Sequence, residues 1–190
     1  MRFFEGDKEK KLVKRLRNGE PEAMKDFYDL FAGYLSGVCS RFIDNDDDLK
    51  DVFQDTLIKI ISSIDKFEYR GDGSLQSWAK RIAVNQALDF LKQKKRIDTV
   101  ALDNDVYDEA ESDDPDIRDI PPDVIHDMLR HLPTGYRTVF NLYVIENKSH
   151  KEIAGMLNIK EASSASQLHR AKNILAAEIK RYRTNKDLRQ

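Results

Sequence analysis

Between Lys160 and Lys172 stand Ser163, Ser164, Ser166, Gln167, His169, Arg170 and Lys172. Hydroxyls, an amide, an imidazole and cations are donors and acceptors for phosphates and base edges. A second group interleaves aromatics with cations: Lys66, Phe67, Tyr69, Arg70, Trp78, Lys80 and Arg81. Cations can hold a phosphate backbone while aromatic faces stack unpaired bases. The alternative is that Phe67 and Trp78 are core and the cations a solvated face. A third group, Asp48, Asp51, Gln54, Asp55 and Lys59, falls on the polar side of one helix. Its carboxylates suit a metal, a basic partner or plain water.

Nothing points to bond-breaking chemistry. His126, His131, His150 and His169 have no zinc spacing with one another or with Cys39. The run Asp44 to Leu49 lacks the glycine and ligand order of a calcium loop. Nucleophile elbows, phosphate loops and dinucleotide glycine patterns are absent. No catalytic residue, metal or cofactor is expected.

The elements that must position these groups read as helices. Ser149 and Glu152 form a capping-box pair ahead of Ile153, Ala154 and Leu157, and Asn158 tolerates the left-handed backbone of a tight turn. With Ile159, Ala162 and Leu168 burying the next helix, the segment reads as a helix-turn-helix; an ordinary helical hairpin is the bland alternative. Upstream, the spacing predicts helices over Lys8–Arg17, from Pro21 to about Phe42, over about Asp47–Ile64, and from Leu75 to about Lys95 with Ser74 as cap. Trp78 and Ile82 are expected inside the last of these. Pro121-Pro122 and Pro133 open two more, the second with Tyr136, Val139, Phe140, Tyr143 and Val144 as its apolar side. No strand pattern of useful length appears.

The net charge of −2 conceals an asymmetry. Residues 1–97 carry 19 basic and 17 acidic side chains, residues 98–123 carry 1 and 11, and residues 124–190 carry 12 and 6. Basic ends around an acidic middle favour a polyanionic partner. The reading is all-α: an N-terminal helical domain (1–97), a flexible acidic linker (98–120) and a four-helix C-terminal domain (121–190) with the helix-turn-helix. Cys39, the sole cysteine, is expected in the core. No apolar run has the length of a membrane span, and the first seven residues lack an apolar leader core, so a soluble cytoplasmic protein is expected.

Together these residues resemble an extracytoplasmic-function (ECF) sigma factor of bacterial RNA polymerase. Asp48 to Thr56 is similar to the family's helix for binding the polymerase clamp, and Phe67 to Leu91 to its promoter-melting segment. Leu132-Pro133, Glu152-Ile153-Ala154 and Leu168 to Lys172 are similar to its second DNA-binding domain. The resemblance implies that Asp48, Asp51, Gln54, Asp55 and Lys59 face core RNA polymerase. It implies that the loop 65–73, through Lys66, Phe67, Tyr69 and Arg70, captures a base flipped from single-stranded minus-10 DNA. Arg81, Asn85 and Asp89 would bind nearby, with Asn85 and Asp89 reading the upstream end of that element. It places Ser163, Ser166, Gln167, His169, Arg170 and Lys172 against duplex minus-35 DNA. Control by an anti-sigma factor is a further implication. Ala165 stands where the family usually has a cation, and Ala162 where it commonly has glycine. Two rivals are a conventional helix-turn-helix repressor or activator, which leaves the first 96 residues unexplained, and a metal-dependent nuclease using the aspartates of the third helix, which lacks a second carboxylate cluster.

Overall fold

Glu9, Leu12, Val13 and Leu16 recur at helical spacing, and all four are buried. They form the inner row of α1 (Gly6–Arg17). The structure, a computed structural model, describes residues 6–94 and 119–187. Two compact units emerge, divided at Phe90/Leu91 within the last turn of α4.

In the first unit α1 packs on α2 (Pro21–Ser40), and α2 on α3 (Asp46–Ser63). Pro21 sits at the start of α2, where its missing N–H has no helical partner to lose. The rings of Phe27 and Phe31 pack at a tilt of 34°, with centroids 4.8 Å apart, inside the unit. Asn45 caps α3 by accepting from the N–H groups of Asp47 and Asp48. The buried row of α3 is Asp48, Val52, Thr56 and Ile60, each four residues from the last. Thr56 is a polar member of that row; its hydroxyl donates to the Val52 carbonyl at 2.7 Å, so it is satisfied within its own helix. Cys39 is fully buried near Thr56, and desolvation pushes its thiol up to about 11. A single 3-10 turn (Ile64–Lys66) and a loop lead to α4 (Ser74–Gln93). There Leu75, Ala79, Ala83 and Ala87 make an unbroken buried row, whereas Trp78 and Ile82 are only half-buried beside it.

In the second unit α5 (Pro122–Arg130), α6 (Thr134–Phe140) and α7 (His150–Leu157) each pack on the long α8 (Glu161–Asp187). Ile120, Met128, Leu132, Tyr136, Ala171, Leu175 and Ile179 form the shared core. Ile120 was expected in the linker. It is instead buried here, and Asp119 pairs with Arg183 at 2.6 Å, so residues 119–120 are part of this unit. The remaining linker residues, 98–118, and Lys95 at the expected end of α4 lie outside the described residues.

The helix opened by Pro133 does not run on as α-helix. Asn141–Ile145 is a π-helical turn, closed by the Glu146 N–H donating to the Asn141 carbonyl at 2.9 Å. The wider turn changes the register. Asn141 and Leu142 go inside, while Tyr143 and Val144, expected on the apolar side, are exposed. No helix among the described residues is long and apolar enough to cross a membrane.

Candidate nucleic-acid interface

On α3, Asp51, Gln54, Asp55 and Lys59 lie exposed on one side. Ile58 joins them at 65% exposure, an apolar centre for the patch that polarity alone did not reveal. Asp48 does not join them. It belongs to the buried row and is only 9% exposed, so its side chain is not offered with the others. Membership of the Val52 row, not side-chain polarity, decides its direction.

The loop 65–73 exposes Lys66 and Arg70 and leaves Tyr69 half-buried. The Tyr69 hydroxyl donates to Asp72 at 3.0 Å, and Arg70 pairs with Glu68 at 3.0 Å. Phe67 is different. At 3% exposure, with its ring 5.2 Å from that of Trp78, it anchors the loop and is not presented for stacking. The core reading of Phe67 therefore fits the geometry, and Tyr69 is the aromatic left at the loop surface. Gly71 and Gly73 take φ of 109° and 78°, a region that favours glycine. On α4, Arg81, Asn85 and Asp89 are exposed and spaced by four, in one row.

The sequence of α1 carries a basic face with no motif of its own. In the fold, Lys10, Lys11, Lys14 and Arg17 line a groove of about 460 Å³ together with Tyr69. The spacing of Lys10, Lys14 and Arg17 was the available signal, but nothing local shows that this face meets the loop.

In the second unit the capping box is complete. The Ser149 hydroxyl accepts from the Glu152 N–H, and the Glu152 carboxylate accepts from the Ser149 N–H at 2.9 Å. Those hydrogen bonds, with Lys148 alongside, pull the Glu152 carboxyl down to about 2. Asn158 closes α7 in the left-handed conformation at φ 55°, and α8 begins three residues later. Ser164 is fully buried and shares a 3.0 Å hydrogen bond with Nδ1 of His150, whose ring stacks on Tyr143 at 4.6 Å. That bond ties the start of α7 to α8.

His169 is exposed on α8, and Ser163, Ser166, Gln167, Arg170 and Lys172 are half-buried. Ala162 and Ala165 are exposed beside them. His169 shares a 3.1 Å contact with Asn173, whereas Nη1 of Arg170 donates to the Tyr136 hydroxyl at 3.1 Å. Arg170 thus leans on α6 as well as facing outward. Gln167 carries a buried Oε1 with no hydrogen-bond partner. No group of three or more His, Cys, Asp or Glu able to hold a metal ion occurs among the described residues.

The sequence model of the family described as Sigma-70 region 2 matches residues 27–97, and that of Sigma-70 region 4 matches residues 123–175. The chain is 26% identical over 179 residues to the ECF RNA polymerase sigma-E factor of Haemophilus influenzae, covering 88% of this chain and 93% of that protein. It is 25% identical to the ECF RNA polymerase sigma factor SigW of Bacillus subtilis, covering 90% and 96%. Among solved structures, CnrH in complex with the cytosolic domain of CnrY aligns with 89% of this chain and 95% of that one, at 20% identity and a TM-score of 0.45.

Proposed function

We propose, since the chain belongs to the sigma-70 family as an ECF sigma factor, that it directs core RNA polymerase to promoters and begins their melting. The observation that carries this is the order of the two matches, region 2 on the first unit and region 4 on the second. A helix-turn-helix repressor has no use for the first unit. The factor is not itself an enzyme; the polymerase makes the RNA, and the factor works in the cytoplasm where the polymerase is.

Each surface then has a task. The patch of Asp51, Gln54, Asp55 and Lys59, with Ile58 at its centre, meets the polymerase. Ion pairs at such a rim guide approach, and an apolar centre supplies affinity. The loop 65–73 and the row Arg81, Asn85 and Asp89 take single-stranded minus-10 DNA. Extruding a base costs a few kcal/mol, which contacts to the base and its phosphates offset. The outward face of α8 lies in the major groove of the minus-35 element, with the exposed His169 on it. Ala165 is exposed on that face, so no long cation reaches out from that position. A separate anti-sigma factor covering these surfaces would keep the protein idle until a signal arrives.

Run-off transcription on genomic fragments tests the reading. The expected result is promoter-dependent transcripts when the protein is added to purified core polymerase. Asp51→Arg is expected to weaken core binding by about 1–3 kcal/mol while helicity stays intact. No complex with core and no transcripts would return the repressor as the better account.

A further inference from the structure

Helix α1 has no part in the assignments above, yet it holds both ends of the segment 64–75. At one end Arg17 donates to the carbonyls of Ile64, at 3.4 Å, and Phe67. At the other end stands Glu9, 1% exposed on the inner row of α1. Its Oε2 accepts from the Gly73 N–H at 2.7 Å. Its Oε1 accepts from the Leu75 N–H at 2.6 Å and from the Ser74 hydroxyl at 3.2 Å. The Ser74 hydroxyl in turn accepts from the Arg70 N–H at 3.2 Å. A chain of hydrogen bonds therefore runs from a buried carboxylate to the tip of the loop.

The sequence predicts Ser74 as the cap of α4, but the cap is Glu9, supplied from another helix. A carboxylate is strongly disfavoured in a core unless its oxygens are hydrogen-bonded, and here both are. The free N–H groups and the dipole at the start of α4 favour a negative charge at that place. Gly73, at φ 78°, adopts a backbone that lets its N–H join them. A loop ordered only on binding would lose conformational freedom at the moment of capture; a loop ordered beforehand does not.

We propose that Glu9 is a positioning residue for base capture. It sets the backbone of residues 70–75 so that Tyr69 and Arg70 meet an unpaired base already in place. This rests on the reading of 65–73 as the capturing loop.

The test uses the full chain bound to core polymerase. The probes are short single-stranded oligonucleotides of a promoter's non-template minus-10 sequence, taken from the run-off templates, with each base in turn at the position the protein protects. Glu9→Gln keeps the size of the side chain but turns an amide NH₂ toward a backbone N–H. Its expected effect is about a tenfold loss of affinity for the preferred oligonucleotide. The preference among the bases should flatten, while affinity for core polymerase stays unchanged. A merely destabilised protein loses active fraction but keeps its base preference. Ser74→Ala removes the hydroxyl's bonds with Glu9 and Arg70 but leaves the Glu9 bonds to the Gly73 and Leu75 N–H groups. It should show a smaller loss of the same kind, and it decides the matter if Glu9→Gln does not fold. Unchanged base preference in the folded variants overturns the role of Glu9 alone. Failure of the unsubstituted holoenzyme to bind any of the oligonucleotides overturns the capture reading and this proposal with it.

Discussion

Arg170 donates to the Tyr136 hydroxyl, so a substitution there touches the core of the second unit and its outward face together. Arg170→Ala should weaken minus-35 binding by about 1–3 kcal/mol as a DNA contact. It should also lower folding stability by about 0.5–1.5 kcal/mol for the lost hydrogen bond. His169→Ala should lower only the first. Thermal unfolding beside duplex binding separates them; an Arg170→Ala protein that melts normally and binds normally removes the residue from both roles. Side-chain chemistry in the sequence points to Asp51, Gln54 and Arg81, and the resemblance to Asn85; all four side chains are exposed. Side-chain chemistry was not enough for Asp48, Phe67 and Ser164, whose position on a buried row or against Trp78 or His150 sets their direction. Polarity says what a side chain can bind, whereas its phase on the helix says whether it is offered.

Helix boundaries with a chemical signature read directly. Ser149 with Glu152, Asn158 after Leu157 and Pro21 at its helix start all fall where the sequence puts them. These signals act within four residues, so no tertiary knowledge is needed. The capping box also predicts a pH dependence. The Glu152 carboxyl sits at about 2 in the fold, below its ordinary value of 4.5. Its contribution to stability is therefore complete above about pH 4.5 and is lost as pH falls toward 2. In thermal melts, Glu152→Gln should be less stable than the unsubstituted protein at neutral pH, with the gap narrowing through this acid range. A gap that stays constant down to pH 2 would show that the carboxylate's charge is not what holds the cap. The π-turn of Asn141–Ile145 had no such signature. Its residues continue an acceptable apolar helical pattern, and only the packing of Asn141 and Leu142 inside the unit reveals the widened turn.

At the scale of the whole chain, composition and local periodicity survive in a linear reading, so the charge split and the helix-turn-helix point to two helical units around an acidic middle. The fold itself divides at Phe90/Leu91, and most of the acidic stretch lies outside the described residues. The partnership of Glu9 with Gly73 does not survive in a linear reading. The two residues are 64 apart in sequence, and a glutamate in a lysine-rich helix carries no mark of its destination. That separation bears on how the first unit assembles. Contacts between α1 and α2, or α2 and α3, join neighbours in sequence, whereas Glu9 must wait until the start of α4 has been brought to it. Closing so long a stretch is entropically the more demanding event, and contacts of that kind slow folding. Trp78, the single tryptophan, lies against Phe67 at the base of the loop and makes a natural clock. In stopped-flow refolding its fluorescence should reach the native value after far-ultraviolet ellipticity has largely recovered. Glu9→Gln should lengthen that lag, and coincident traces in both proteins would mean that the loop closes together with the helices around it.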